Sequence, residues 1–212
     1  MKLIIANKNY STWSLRPWLL LKAHHIEFDE INVSLREDGL RQRLLQYSES
    51  AKMPVLHDEG LVIWDTLAIC EYISEVYLAG KGWPIDAKQR AIARSITAEM
   101  HSGYGNIRND LPMNIRAKRK VDISKEVQRE IDYIDNLWAK CQQDGYLFGD
   151  YGIVDGFFTP VASRFNTYGI KLSSNAQIYA DKLLTHPAMQ EWSQAARLET
   201  ETLPVDEAGV DV

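Results

Sequence analysis

The chain has 212 residues, 45% of them hydrophobic, and its 29 acidic and 24 basic side chains give a formal net charge of −5. This apolar content is sufficient for a buried core, and the acidic balance argues against a nucleic-acid-binding protein, which usually carries a basic excess. No apolar run approaches the roughly 18 residues that a membrane span needs, so no membrane association is expected. The five histidines show no metal-ligand spacing, and no metal site is expected.

The two cysteines indicate a reducing compartment. Cys70 and Cys141 lie far apart, and each falls on the apolar face of a helical pattern, so we expect buried thiols. The sequence has no CxxC pair, which argues against thiol–disulfide exchange of the thioredoxin kind. We therefore expect a cytoplasmic protein.

The first 79 residues alternate strand-like and helix-like segments. Residues 3–6 form an apolar run, and 14–24 form a helix with Pro17 in its first turn. A partly alternating strand at 28–33 and a polar helix at 39–46 follow. Ser14 is the expected cap of the first helix.

A hairpin and a third helix complete this first half. Two apolar runs, 54–57 and 61–63, flank Asp58-Glu59-Gly60, which is typical of a tight turn. An amphipathic helix then begins at about Asp65 with apolar residues at helical spacing. The order βαβαββα predicts a mixed sheet covered by helices.

The pattern changes after residue 79. Two glycines and a proline in residues 80–84 indicate a linker at 80–86, which divides the chain into an α/β domain at 1–79 and an all-helical domain at 87–212. The predicted helices there are a long one over 92–111, bent near Gly103 and Gly105, and three more at 127–141, at 157–168 with Pro160 inside, and from Pro187 onward. The acidic tail from about Pro204 is expected to be loose, and the basic residues of 116–120 are expected to be solvated cations near a helix C-terminus.

Four segments together resemble the cytosolic glutathione transferase family over nearly the whole chain. They are 9–18 (NYSTWSLRPW), which is similar to the serine-type active-site segment of the zeta class and its bacterial relatives, and 52–56 (KMPVL), 64–69 (WDTLAI) and 152–155 (GIVD). The resemblance implies a thioredoxin-like N-terminal domain, an all-helical C-terminal domain, and glutathione as co-substrate without a metal. At the fourth segment the family normally has Ser or Thr where this chain has Gly152, which offers no side-chain acceptor.

The resemblance implies that Ser11 is the catalytic residue. A free thiol has a pKa of about 8.5 and is only slightly ionised at neutral pH, and a hydroxyl that donates a hydrogen bond to the sulfur favours the thiolate. Tyr10, Thr12 and Ser14 lie nearby and remain alternatives for this contact.

The resemblance also implies the glutathione contacts. A cis peptide at Met53–Pro54 would let the main chain of Met53 pair with the cysteinyl unit, Asp65 would bind the γ-glutamyl ammonium, and Thr66 would hold its carboxylate. Two further residues, Thr12 and Trp13, are expected to contribute to the glutathione site, and Lys52 is a candidate for the glycyl end. The second-substrate pocket is expected near Tyr10, Tyr104 and Ile107.

The first functional hypothesis is a homodimeric transferase that conjugates glutathione to small hydrophobic electrophiles. The second is a glutathione-dependent cis–trans isomerase of the maleylacetoacetate type, although Trp13 stands where that group typically has a cysteine. The third is a non-catalytic interaction protein with the same fold, since a fold alone does not fix a function.

Overall fold

The computed structural model describes residues 1–35, 38–141 and 145–212. Its N-terminal part has the predicted βαβαββα order, which confirms the α/β assignment. The elements are β1 (Lys2–Ala6), α1 (Thr12–Ala23), β2 (Asp29–Val33), α2 (Leu40–Leu45), β3 (Val55–Asp58), β4 (Leu61–Trp64) and α3 (Thr66–Tyr77).

These strands form one mixed sheet in the order β2-β1-β3-β4, in which β1 pairs parallel with β2 and antiparallel with β3. Side chains alternate between its two faces. Leu3 and Ile5 of β1 belong to the main core, whereas Ile4 packs in a smaller cluster that includes Leu44 of α2. The central strand is therefore buried on both sides, and its C-terminal end delivers the chain to α1.

The rest of the described chain is mainly helical. The helices are α4 (Ala87–Ser102), α5 (Gly105–Asp110), α6 (Lys125–Trp138), α7 (Ile153–Thr167), α8 (Ser174–Thr185) and α9 (Pro187–Leu198). The predicted long helix over 92–111 is wrong, because Gly103 is extended and Tyr104 adopts a left-handed conformation with φ 56°, so α4 and α5 are separate. Helix α8 was not predicted.

Helix α7 connects the two halves of the molecule. Almost all of its side chains are buried, and it packs against α1, α4 and α8. The segment 80–86 lies between α3 and α4, where the Gly82 carbonyl accepts a hydrogen bond from the Ile153 N–H. The division into domains at this segment stays a prediction.

The C-terminal tail is ordered, so the expectation of a loose tail is wrong. Pro204–Asp206 forms a 3-10 turn, and β6 (Val210–Asp211) pairs antiparallel with β5 (Arg119–Lys120). Arg119 forms ion pairs with Glu207 and Asp211. The basic segment 116–120 therefore binds the acidic tail and does not lie at a helix C-terminus.

Within the residues that the structure describes, no helix has the length and apolarity that crossing a membrane requires.

Candidate active site

A cavity of about 330 Å³ opens at the N-terminus of α1, between the sheet and the helical part. Most of its lining comes from three places: the segment that leads into α1, the residues before β3, and the helices α5 and α7. The lining residues are Ala6, Tyr10, Ser11, Thr12, Trp13, Leu35, Leu44, Met53, Arg108, Pro112, Met113, Arg164 and Asp206.

Ser11 is the N-cap of α1 and borders this cavity. Its Oγ accepts a hydrogen bond from the Ser14 N–H (3.4 Å) and donates one to the Ser14 Oγ (2.8 Å). The positive end of the α1 dipole is therefore at the Ser11 hydroxyl. The side chain is 9% exposed, so the hydroxyl is shielded from bulk water but borders the space that a ligand would fill.

Ser14 is inside α1, so its assignment as the helix cap is wrong. The helix begins three residues earlier than predicted because Ser11 takes the cap position. The Ser14 Oγ accepts the Ala6 N–H at 3.0 Å, and Ser14 is fully buried. Ser14 therefore hydrogen-bonds to Ser11 and is not one of the residues that line the cavity.

The hydroxyl of Tyr10 is already engaged. It donates to a Glu207 carboxylate oxygen and accepts from Nη2 of Arg116 at 3.0 Å. Burial and the hydrogen bond to Glu207 raise the pKa of Tyr10. The ring lines the cavity, but the phenol proton points to the tail.

The segment before β3 supplies main-chain groups. The Met53–Pro54 peptide is cis, as expected from the resemblance, and Met53 lines the same cavity as Ser11. Lys52 is exposed and is not part of the lining.

Asp65 and Thr66 lie at the N-terminus of α3, next to the cavity lining rather than within it. Oδ1 of Asp65 accepts the N–H groups of Leu67 (2.9 Å) and Ala68 (3.2 Å). The side chain is 47% exposed, and its backbone has φ 79°, which is strained for a residue with a Cβ and is often found at functional sites. Thr66 is buried, and its hydroxyl donates to the carbonyl of Trp13 at 3.0 Å, which couples α3 to α1.

Two guanidinium groups bring positive charge to the cavity. Arg108 lies with its guanidinium carbon 4.8 Å from the centre of the Trp13 ring, and Arg164 donates to the carbonyl of Leu111. Burial lowers the pKa of Arg108, and burial together with the charge of Arg108 lowers the pKa of Arg164 to about 10. Asp206 of the tail also lines this end, and burial raises its pKa.

Sequence analysis did not identify Arg108, Arg164 or Asp206, because no local motif connects residues on α5, on α7 and in the tail. The expected pocket residues Tyr104 and Ile107 are buried and are outside the cavity lining. Tyr104 packs against Tyr133 of α6, with ring centres 6.2 Å apart.

The glutathione S-transferase class of fold is defined by four features of this structure. They are the mixed β2-β1-β3-β4 sheet, a hydroxyl at the N-terminus of α1, a cis-proline before β3 and a mainly helical second part. The family model for the N-terminal domain of glutathione S-transferases matches residues 10–76. Maleylacetoacetate isomerase of Dictyostelium discoideum is 30% identical over 170 residues, which cover 73% of this chain and 76% of that protein.

Two further comparisons agree. A probable maleylacetoacetate isomerase of Caenorhabditis elegans is 26% identical over 168 residues, covering 76% of this chain and 77% of that protein. The crystal structure of a Burkholderia glutathione transferase homologue with bound glutathione superposes with a TM-score of 0.71 at 20% identity, covering 92% of this chain and 97% of that one. The chain belongs to the glutathione S-transferase family.

Proposed function

We propose that the chain binds glutathione across this cavity and activates its thiol at Ser11. The observation that carries the proposal is the position of the Ser11 hydroxyl: it caps α1 and borders the cavity that Met53 of the cis-proline segment also lines. The cysteinyl unit pairs with the main chain of Met53, as an added strand would. The γ-glutamyl end reaches the N-terminus of α3, where Asp65 binds the ammonium and the main-chain N–H of Thr66 holds the carboxylate.

The reaction then begins with thiolate formation. A hydrogen bond from Ser11 and the dipole of α1 both favour the charged sulfur. Lowering a thiol pKa by about two units requires about 2.7 kcal/mol, which one charge-assisted hydrogen bond and a helix terminus can supply. The thiolate attacks a small electrophile held in the remaining space of the cavity. In a substitution the new carbon–sulfur bond replaces the bond to the leaving group, which departs with its electron pair while the thiol proton passes to water. In an addition the thiol proton ends on the adduct.

A second candidate function, glutathione-dependent cis–trans isomerisation, is favoured by Arg108 and Arg164. Guanidinium groups bind carboxylates in preference to neutral groups, so this end of the cavity suits an electrophile that carries a carboxylate better than a purely apolar one. The names of the Dictyostelium and Caenorhabditis relatives agree with this class. In this reaction glutathione adds to the substrate, allows rotation about the former double bond, and is released unchanged.

Calorimetric titration with reduced glutathione tests the binding site. Wild-type protein should show saturable heat. Ser11→Ala should still bind the peptide but lose the ultraviolet absorbance of the thiolate and about 100-fold in kcat/KM, the equivalent of about 2.7 kcal/mol. Absence of saturable binding by the wild type would contradict both enzyme functions and favour an interaction protein.

Arg108→Met separates the two reactions. It should raise KM for maleylacetoacetate and leave conjugation of an uncharged aryl halide nearly unchanged. An equal loss with both substrates would contradict carboxylate recognition by Arg108.

We further infer that the protein is a cytoplasmic homodimer. Apolar side chains of β4, α3 and α4 are exposed, among them Val62, Trp64, Val76, Tyr77 and Ile92. Exposed apolar surface of this kind commonly packs against a second subunit. Sedimentation should give twice the chain mass of 24.3 kDa, and Trp64→Glu should shift the protein to monomer.

A further inference from the structure

His101 of α4 contacts the candidate glutathione site from the helical part. Its Nε2 lies 3.2 Å from Oδ2 of Asp65. The imidazole packs edge-on against Trp13, with ring centres 5.3 Å apart, and also contacts Phe157 of α7. The imidazole is therefore held in place by two aromatic rings, and within the described ranges the Asp65 carboxylate is the one group that hydrogen-bonds to it.

The two nitrogens of this imidazole have different surroundings. Nδ1 is buried and has no hydrogen-bond partner among the described residues. An ionised carboxylate only accepts hydrogen bonds, so Nε2 must carry a proton to bond to Asp65. A neutral imidazole protonated at Nε2 satisfies this contact, whereas a cationic ring would place a second N–H at the buried Nδ1 with no acceptor.

The charges around the ring also favour the neutral form. Asp65 is the acidic group that faces it, while Arg16 of α1 and Arg108 of α5 bring two positive charges, and Phe157 of α7 is uncharged. Burial and these two guanidinium groups lower the pKa of His101, and Asp65 opposes them. The balance favours the neutral imidazole at neutral pH.

We propose that His101 is a positioning residue for the glutathione site: neutral, it orients Asp65 toward the γ-glutamyl ammonium, and protonated, it competes with that ammonium for the same carboxylate oxygen. This inference rests on the proposed glutathione site and adds pH control to it. Oδ1 is already used by the N–H groups of Leu67 and Ala68, so Oδ2 is the oxygen for which the two cations compete.

Binding of S-methylglutathione as a function of pH tests this role. The methyl group removes the thiol, so no group of the probe that contacts Asp65 titrates between pH 5.5 and 7.5. Calorimetric Kd values are measured across this range for wild type, for His101→Gln and for His25→Asn, in which an exposed histidine outside the site is replaced. Circular dichroism at each pH verifies that every variant is folded.

Wild type and His25→Asn should lose affinity as the pH falls, by at most about tenfold, which is the limit for one proton at an ordinary histidine pKa. In His101→Gln an amide N–H replaces Nε2 without titrating, so its Kd should match the wild-type value at pH 7.5 within about twofold and stay flat below it. If His101→Gln shows the same pH dependence of Kd as wild type, the role of His101 is contradicted, while the glutathione site is not. Failure of wild type to bind the probe at any pH would contradict the glutathione site, and the role of His101 with it.

Discussion

The hydroxyl of Tyr10 donates a hydrogen bond to the carboxylate of Glu207, although the two residues are 197 positions apart. Glu207 also accepts from Asn114 at 2.9 Å and pairs with Arg119. The acidic tail is therefore joined to the segment that leads into Ser11.

A second carboxylate, that of Glu199 at the end of α9, acts on the same segment. The two oxygens of Glu199 accept the main-chain N–H groups of Lys8 (2.8 Å) and Asn9 (3.0 Å). These N–H groups are outside the helix and strand ladders, and without Glu199 part of their hydrogen bonding would be lost. Glu199 thus fixes the backbone just before the cap of α1.

A double-mutant cycle measures this connection. Tyr10→Phe, Glu207→Ala and the double variant should each lower the free energy of unfolding in urea. The coupling between the two sites should be about 1–2 kcal/mol, because residues that share a hydrogen bond are not additive. Glu49→Ala, which removes an exposed glutamate, is the control and should change stability by less than about 0.5 kcal/mol. Simple additivity of Tyr10→Phe and Glu207→Ala would show that the observed hydrogen bond does not stabilise the protein.

Tyr10→Phe also distinguishes the two hydroxyls that compete for the sulfur. The phenol proton of Tyr10 is held by a carboxylate, which is a stronger acceptor than the Ser14 hydroxyl that holds the proton of Ser11. We therefore expect Tyr10→Phe to keep the ultraviolet absorbance of bound thiolate, whereas Ser11→Ala should lose it. Stopped-flow pH titration of the absorbance gives the apparent pKa of the bound thiol. A rise of that pKa in Tyr10→Phe equal to the rise in Ser11→Ala would transfer the role to Tyr10.

Local patterns were sufficient for much of the N-terminal half. The hairpin of β3 and β4 and the helix α3 follow from alternating and helical apolar spacing around Gly60 and Asp65. The same patterns were insufficient for α8, whose buried side chains include the small Ala176 and Ala180 and give only a weak apolar stripe. Ser11 and Ser14 are both good caps by residue type, so only the folded backbone distinguishes them.

The rest of the candidate site depends on tertiary packing. Arg108 and Arg164 are brought to one cavity by helices whose sequences contain no shared motif. The acidic tail is polar and would be solvated in isolation, and it becomes ordered because basic residues at 116–120 supply its partners. Charge pairs at long sequence separation carry no periodic signal in the sequence.

Gly152 explains a departure from the family pattern and gives a third prediction. A Cβ at this position would lie 2.9 Å from the carbonyl oxygen of Gly82, so the segment before α4 leaves no space for a side chain. Oδ2 of Asp155 still accepts the Gly152 N–H at 2.9 Å. Glycine is therefore favoured here by the close approach of the backbone, despite its weaker capping.

Replacing Gly152 should destabilise the protein even when the new residue is a better helix cap. Gly152→Ala should lower the free energy of unfolding by about 1–3 kcal/mol through overpacking. Gly152→Ser should lose about 1 kcal/mol less, since its hydroxyl can accept an N–H at the helix start. Gly105→Ala is the matched control, because a Cβ there meets no atom within 4 Å. An increase in the urea midpoint with Gly152→Ser would contradict the steric explanation.

The last prediction concerns the pH dependence of stability through His186, the N-cap of α9. Its Nδ1 accepts the Ala188 N–H at 3.2 Å, which only an unprotonated nitrogen can do. Burial and the neighbouring His24 and His25 lower the pKa of His186 in the folded protein. Because the unfolded chain then binds the proton more readily, this cap contributes fully above the unfolded value of about 6.5 and is lost progressively as the pH falls below it.

His186→Asn should retain the cap and remove its titration, since asparagine is a good N-cap that carries no charge. Between pH 7.5 and 5.5 we therefore expect the free energy of unfolding of wild type to fall by about 1 kcal/mol more than that of His186→Asn, as measured by urea denaturation at each pH. His57→Asn, on β3, provides the control: whatever its stability at pH 7.5, its decline toward acid should parallel that of wild type. Parallel curves for His186→Asn and wild type would instead mean that protonation of His186 does not open the start of α9. The hydrogen bonds from Lys8 and Asn9 to Glu199, at the end of α9, would then not depend on the protonation of His186.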